Sequence, residues 1–202
     1  MKCIVIISCL LSIVLTANAQ PFRNYFSVSY DVNKPLSGTD VADDISFQGA
    51  KVGFRKLFNN GFMAGVDFSY ATYDDYIPRD TYNFDNGALT TDFYPYAYSY
   101  GLTVAGDYLF ARNNRLSPFI GVGVGASFID YTLYYNVFSN SDTQWGFLVR
   151  PEAGLLLRLG SREAWGLTAG VHYDYSTAKN ERLGYDDFSN VGASVGIVVF
   201  AH

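Results

Sequence analysis

From Asn24 onward the chain alternates apolar and polar residues with a period of two, and no stretch keeps a helical period. The first strand sets Phe26, Val28, Tyr30 and Val32 against Ser27, Ser29 and Asp31, and a Pro-, Ser-, Gly- and Asp-bearing loop, 33–44, follows. A second strand carries Ala50, Val52 and Phe54 opposite Gly49, Lys51, Gly53 and Arg55, then meets Asn59-Asn60-Gly61, the residue types of a tight hairpin turn. The third opposes Phe62, Ala64, Val66, Phe68 and Tyr70 to Gly65, Asp67, Ser69 and Ala71, and a polar loop is expected over 74–93. In the fourth, Tyr96, Tyr98, Tyr100, Leu102, Val104 and Tyr108 oppose Ala97, Ser99, Gly101, Thr103, Ala105 and Asp107, with a short turn at 112–115.

The second half repeats the scheme. Ile120, Val122, Val124, Ala126 and Phe128 alternate with Gly121, Gly123, Gly125 and Ser127 before a loop over 130–144. The sixth strand, 145–159, sets Phe147, Val149, Pro151, Ala153, Leu155 and Leu157 against Arg150, Glu152, Gly154 and Arg158, and 160–163 is a short turn. Trp165, Leu167, Ala169, Val171, Tyr173 and Tyr175 then oppose Gly166, Thr168, Gly170, His172, Asp174 and Ser176, with a loop over 177–187. The eighth strand opposes Val191, Ala193, Val195, Ile197 and Val199 to Asn190, Gly192, Ser194 and Gly196.

Strands of roughly 9 to 11 residues match a tilted crossing of a bilayer. Long connections follow strands one, three, five and seven and short turns follow two, four and six, so both chain ends fall on one side. The expected fold is all-β: an eight-stranded antiparallel transmembrane up-and-down barrel. The charges decide which face is inside. Lys51, Arg55, Asp67, Asp107, Arg150, Glu152, Arg158 and Asp174 all share the face otherwise built of Gly, Ala, Ser and Thr, and His172 joins them. A hydrated outer surface would be rich in Lys and Glu; small residues with four cations balancing four anions suit the crowded lumen of a narrow barrel, with the apolar row toward lipid. Aromatics gather near strand ends as two belts: Phe58, Phe62, Tyr108, Phe119 and Trp165 by the short turns, and Tyr30, Tyr70, Tyr96, Phe128, Trp145, Phe147, Tyr173 and Tyr175 by the long loops.

Composition narrows the function classes. The 202 residues are 49% hydrophobic, yet the mean hydropathy of +0.05 is too low for a bundle of membrane helices. A net charge of -5 and the absence of clustered Lys and Arg exclude a nucleic-acid partner. Both cysteines, Cys3 and Cys9, lie in an apolar run from Cys3 to Thr16 behind Lys2, followed by Ala17-Asn18-Ala19 and Gln20. That is the pattern of a secretory signal peptide, residues 1–19, cleaved between Ala19 and Gln20 to leave a cysteine-free domain of residues 20–202. The rival reading, a lipoprotein box ending at Cys9, leaves eight residues ahead of that cysteine and a greasy Leu10 to Leu15 behind it.

With signal peptide, eight alternating strands, alternating loop lengths and the ending Val195-Gly196-Ile197-Val198-Val199-Phe200, the chain resembles the small outer-membrane barrels of Gram-negative bacteria. The likeness is to the OmpA transmembrane domain and OmpX type, as in the compact outer-membrane β-barrel proteins of Bacteroidota. It spans about residues 22 to 200 and is architectural. Phe200 is followed by Ala201 and His202 and is out of phase with the Val191 to Val199 row unless a bulge intervenes. The resemblance implies an outer-membrane monomer inserted by the assembly machinery, in contact with lipid and lipopolysaccharide, with an extracellular ligand that the sequence does not name.

Catalysis has one candidate: His172, Asp174 and Ser176 share a face. Lipid A deacylase barrels carry a His and Ser two residues apart facing lipid, whereas here the serine is four away and the row faces the lumen, so a structural His is expected and no enzyme. Gly121-Val122-Gly123-Val124-Gly125 lacks the helix start of a phosphate loop, and no Cys and His cluster suits zinc. No cofactor is expected. The outer loops hold Asp40, Asp43, Asp44, Asp74, Asp75, Asp80, Asp85, Asp92, Asp130, Asp142, Glu181, Asp186 and Asp187 against Lys34, Arg79, Lys179 and Arg182. Solvation explains most of that excess; divalent cations bridging to lipopolysaccharide phosphates are a sharper alternative, although no spacing matches a calcium loop. The expected function is a non-enzymatic barrel whose acidic, aromatic loops serve surface interaction or envelope integrity. A narrow channel or transport barrel, a lipid A-modifying enzyme and a soluble periplasmic β-barrel are the alternatives.

Overall fold

The computed structural model describes residues 24–37, 44–58, 60–84, 87–110, 115–135, 138–159, 164–179 and 186–201. The expected leader with its Ala19–Gln20 cleavage site, and the loop acids Asp40, Asp43, Asp85 and Glu181, lie outside the described residues.

Nine strands form: β1 (Asn24–Pro35), β2 (Ser46–Leu57), β3 (Phe62–Asp74), β4 (Ile77–Phe84), β5 (Gly87–Leu109), β6 (Leu116–Tyr135), β7 (Phe138–Leu159), β8 (Trp165–Ser176) and β9 (Phe188–Ala201). Eight of them close into an antiparallel barrel. Each pairs with its sequence neighbour, β1 pairs with β9, and β3 pairs with β5, so no barrel strand keeps an open edge along its paired length. The ninth, β4, lies outside the ring against the upper part of β5.

Pleat parity sorts the residues as the alternation predicts. The middle of the outer wall is built by Val28, Val52, Val66, Val104, Val124, Val171 and Val195, while Ser29, Arg55, Asp67, Thr103, Ser127, Arg150 and His172 are buried inside. Phe62, Tyr108 and Trp165 ring the short-turn end of this wall, and Tyr30, Phe128, Trp145, Phe147, Tyr173 and Tyr175 the other.

Two expectations are corrected and one open alternative is decided. The described residues of 74–93 and 130–144 form strands where loops are expected: β4 pairs with the start of β5, and the β6–β7 register runs unbroken from Leu116↔Leu157 to Tyr135↔Phe138. At 23, 20 and 22 residues, β5, β6 and β7 far exceed a bilayer crossing. Thr81, Thr90, Thr91, Tyr131, Thr132 and Tyr134 are good strand residues, but with Tyr and Thr on both faces the segment shows no apolar alternation to read. Second, Phe119 shares parity with Gly121 and packs into the lumen, not in the outer belt. The open alternative is at Phe200, where no bulge occurs: the β1–β9 register is continuous from Asn24↔Ala201 to Pro35↔Asn190, so Phe200 belongs to the inner row with Val198, and the irregularity lies between Asp31 and Asn33, against β2.

Candidate functional site: the lumen and the upper wall

The lumen is filled in layers. At the short-turn end Met63, Leu109, Leu156 and Val198 are buried, with Tyr25, Leu57, Phe119 and Phe200 packed on them. Tyr25 and Phe200 meet edge to face, their centroids 5.9 Å apart. Arg158 enters this plug, its guanidinium donating to Ser117 Oγ at 3.4 Å. The free space left there is a cavity of about 20 Å³.

Above the plug lies the main ion cluster. Arg55 donates from Nη1 and Nη2 to both Asp67 carboxylate oxygens at 2.7 Å. Its Nε donates to Asp107 Oδ2 at 2.5 Å and its Nη2 to Glu152 Oε1 at 3.1 Å. Lys51 Nζ donates to the other Glu152 oxygen. One guanidinium therefore holds three carboxylates from three strands, the fork geometry that suits arginine and not lysine. Glycine makes the space: a Cβ at Gly121 would overlap the Asp107 carboxylate, and one at Gly125 would overlap the Leu102 carbonyl oxygen across the β5–β6 ladder. A cavity of about 30 Å³ touches Lys51, Arg55, Asp107, Glu152, Thr168 and His172, room for about two waters and no continuous aqueous path.

A second cluster stands nearer the long connections. Arg150 donates from Nε and Nη2 to the two Asp174 oxygens, each at 2.5 Å, and from Nη2 to Ser69 Oγ at 2.9 Å. His172 Nε2 lies 3.1 Å from Asn33 Oδ1 and 3.6 Å from Asp31 Oδ2. Asn33 Nδ2 in turn donates to Asp31 at 3.1 Å. The mouth is covered by an apolar cap of Ala71, Tyr73, Ala97, Ile129, Tyr131, Ala178 and Phe188. Ala178 reaches it because its amide donates to Ser176 Oγ, folding the start of the last long connection over the opening.

The structure places all nine expected lumen residues on the inner face. Lys51, Arg55, Asp67, Asp107 and Glu152 come together in the first cluster, Arg150, Asp174 and His172 in or beside the second, and Arg158 stands apart in the plug. His172, Asp174 and Ser176 do not form a relay. The imidazole faces Asn33 and Asp31, the carboxylate is held by Arg150, and the hydroxyl is 2.5 Å from that of Ser127. Among the described residues no group of three or more His, Cys, Asp or Glu side chains is placed to hold a metal ion.

Two groups of inner residues stand outside the expected set. Asp31 and Asn33 have the inward parity, but Asn33 falls in the expected 33–44 loop. Met63, Leu109, Leu148, Leu156 and Val198 are apolar residues on the polar face, a break in alternation that marks the seal of a filled barrel.

The outer wall also carries a feature of its own. Outward positions along β5 read Tyr94, Tyr96, Tyr98 and Tyr100 and then change to Leu102 and Val104. Tyr96 stacks on Tyr98 with centroids 5.9 Å apart and planes 8° apart, Tyr134 meets Tyr96 edge-on at 5.7 Å, and Tyr76 lies 5.0 Å from Tyr94.

No family model matches the chain, and no curated protein matches it. Solved structures do. Ail, the attachment invasion locus protein of Yersinia pestis, in complex with the heparin analogue sucrose octasulfate, is 18% identical, with 90% of this chain and 100% of that one covered and a TM-score of 0.54. Neisserial surface protein A is 15% identical over 90% of this chain and 98% of that one, TM-score 0.49. The N-terminal β-barrel domain of Pseudomonas aeruginosa OprF is 11% identical over 86% and 96%, TM-score 0.42. With its strands closed β1 to β9 and β3 to β5, the chain has the closed eight-stranded antiparallel fold seen in the outer-membrane barrel Ail.

Proposed function

We propose that this protein is a non-enzymatic outer-membrane barrel that acts through the surface above its outer wall. The observation that carries the reading is the inversion of the barrel: its exposed wall is apolar, with Val104 63%, Val171 58% and Val195 57% exposed, while Arg55, Asp67 and Arg150 are 4% exposed or less. Water would penalise that arrangement on both sides and a bilayer favours it. The leader is cleaved between Ala19 and Gln20, the outer-membrane assembly machinery inserts the chain, and the barrel stays monomeric, bounded by lipid and lipopolysaccharide. The lumen charges Lys51, Arg55, Asp67, Asp107, Arg150, Glu152, Arg158, His172 and Asp174 are structural filling. The apolar plug and the aromatic cap, at opposite ends of these charges, argue against the channel reading. Ail was solved with a heparin analogue; the acidic excess of the long connections here disfavours so anionic a ligand.

Gel migration of washed membranes, boiled against unboiled, tests this reading. A barrel embedded in the membrane fraction resists SDS until heated and shifts on boiling. A protein found in the soluble fraction with no shift overturns the reading in favour of a soluble barrel, and reproducible conductance in planar bilayers would restore the channel.

A further inference from the structure

The β5 tyrosines stand where the barrel leaves the apolar wall. We propose that this strip, Tyr94, Tyr96, Tyr98 and Tyr100 with Tyr76 and Tyr134, docks the core saccharide of lipopolysaccharide molecules lying against the barrel. The proposal rests on the outer-membrane reading and deepens it by naming the partner of the upper wall.

Height comes first. Each two-residue step along a strand advances about 7 Å, and a barrel tilt of roughly 40° turns that into about 5 Å of height. Taking the change from Leu102 to Tyr100 as the hydrocarbon boundary, Tyr94 stands about 15 Å above it. That is the level of sugars, beyond the interfacial belt of an ordinary bilayer. The strip is also continuous with Leu102 and Val104 on the same face. A molecule whose acyl chains lie on those aliphatic residues carries its saccharide past the tyrosines.

The chemistry fits sugar rings better than tails or polyanions. The face of a phenol ring is electron-rich and attracts the C–H face of a pyranose, and the ring stays rigid at small entropic cost. Tyr76, Tyr94 and Tyr134 are 51%, 42% and 42% exposed, so their rings are open to such stacking. The exposed acceptor beside them is Asp74, which stands opposite Tyr96 on β3. An acyl chain would be matched by more leucine and valine, as it is lower on the wall. Phosphate groups would meet Asp74, Asp92 and Asp130, charges of their own sign, so the strip takes the neutral pyranose rings of the core and not its acidic groups.

The test uses calorimetric titration of the refolded full barrel in detergent micelles with delipidated core oligosaccharide released from rough lipopolysaccharide, and with lipid A lacking that core. Wild type is expected to bind the oligosaccharide, and the triple variant Tyr94→Thr, Tyr96→Thr, Tyr98→Thr to bind it at least about tenfold more weakly, a difference of about 1.4 kcal/mol. Tyr→Phe changes at the same three positions keep the stacking faces and are expected to retain most of the binding. Equal binding by wild type and the threonine variant overturns the proposal. So does wild-type binding of lipid A with none of the oligosaccharide, which reduces the strip to a headgroup belt. Preference for a soluble glycan foreign to the membrane over the core oligosaccharide overturns the own-membrane source. The boiled and unboiled gel shift is run on every variant: its loss in wild type breaks the outer-membrane reading itself, whereas a retained shift with failed binding breaks this proposal alone.

Discussion

Replacing Arg55 by methionine keeps an unbranched apolar stem and removes the charge that holds Asp67, Asp107 and Glu152. Glu152 keeps Lys51, but Asp67 and Asp107, 3% and 2% exposed, lose the cation that faces them. Removing one partner of a buried pair costs about 3 to 5 kcal/mol, because the desolvated charge left behind has nothing to replace water. Arg55→Met is therefore expected to lose about 4 kcal/mol, large enough to leave most small barrels barely folded. Urea titration of protein refolded into lipid vesicles, read by fluorescence of Trp145 and Trp165 and by the gel shift, measures the loss. Adding Asp67→Asn and Asp107→Asn to Arg55→Met is expected to recover much of the loss, since the carboxylates then need no counter-charge. A loss under about 0.5 kcal/mol, or no recovery on adding the two Asp→Asn changes, would refute the argument that this cluster is dry and mutually dependent.

Three further outcomes follow from the same geometry. Val104→Arg places a charge on a side chain that is 63% exposed; in lipid vesicles it is expected to cost about 2 to 4 kcal/mol near the bilayer centre, whereas a soluble barrel would tolerate it within about 0.5 kcal/mol. Gly125→Val forces a side chain into the Leu102 carbonyl, and because backbone must give way, no heat-modifiable form is expected on refolding. His172→Ala removes the partner of Asn33 and Asp31 at a cost of about 1 to 3 kcal/mol, and mass spectra of lipid A from cells expressing it are expected to match those from wild type; a difference would revive the enzyme reading.

Much of this protein was legible in the chain because a barrel wall is a local code. With a period of two, each residue's side is decided by its parity, and eight rows of Val, Phe and Tyr against Gly, Ser and scattered charge name both the strands and the lumen face. Lys51, Arg55, Asp107 and Glu152 could be assigned inward from parity alone. What parity cannot carry is register and reach. Arg55 lies 97 positions from Glu152, and only the stagger of β2, β3, β5 and β7 around the closed ring decides that one guanidinium meets three carboxylates while Arg158 ends in the plug. The same holds for Phe200, whose inward turn comes from an unbroken β1–β9 ladder, and for the tall β5–β6–β7 wall, where Tyr and Thr occur on both faces and write no apolar alternation into the sequence. Local side-chain direction is set by adjacent residues, but which residues meet across a closed sheet is set by hydrogen-bonded pairing among strands far apart in the chain.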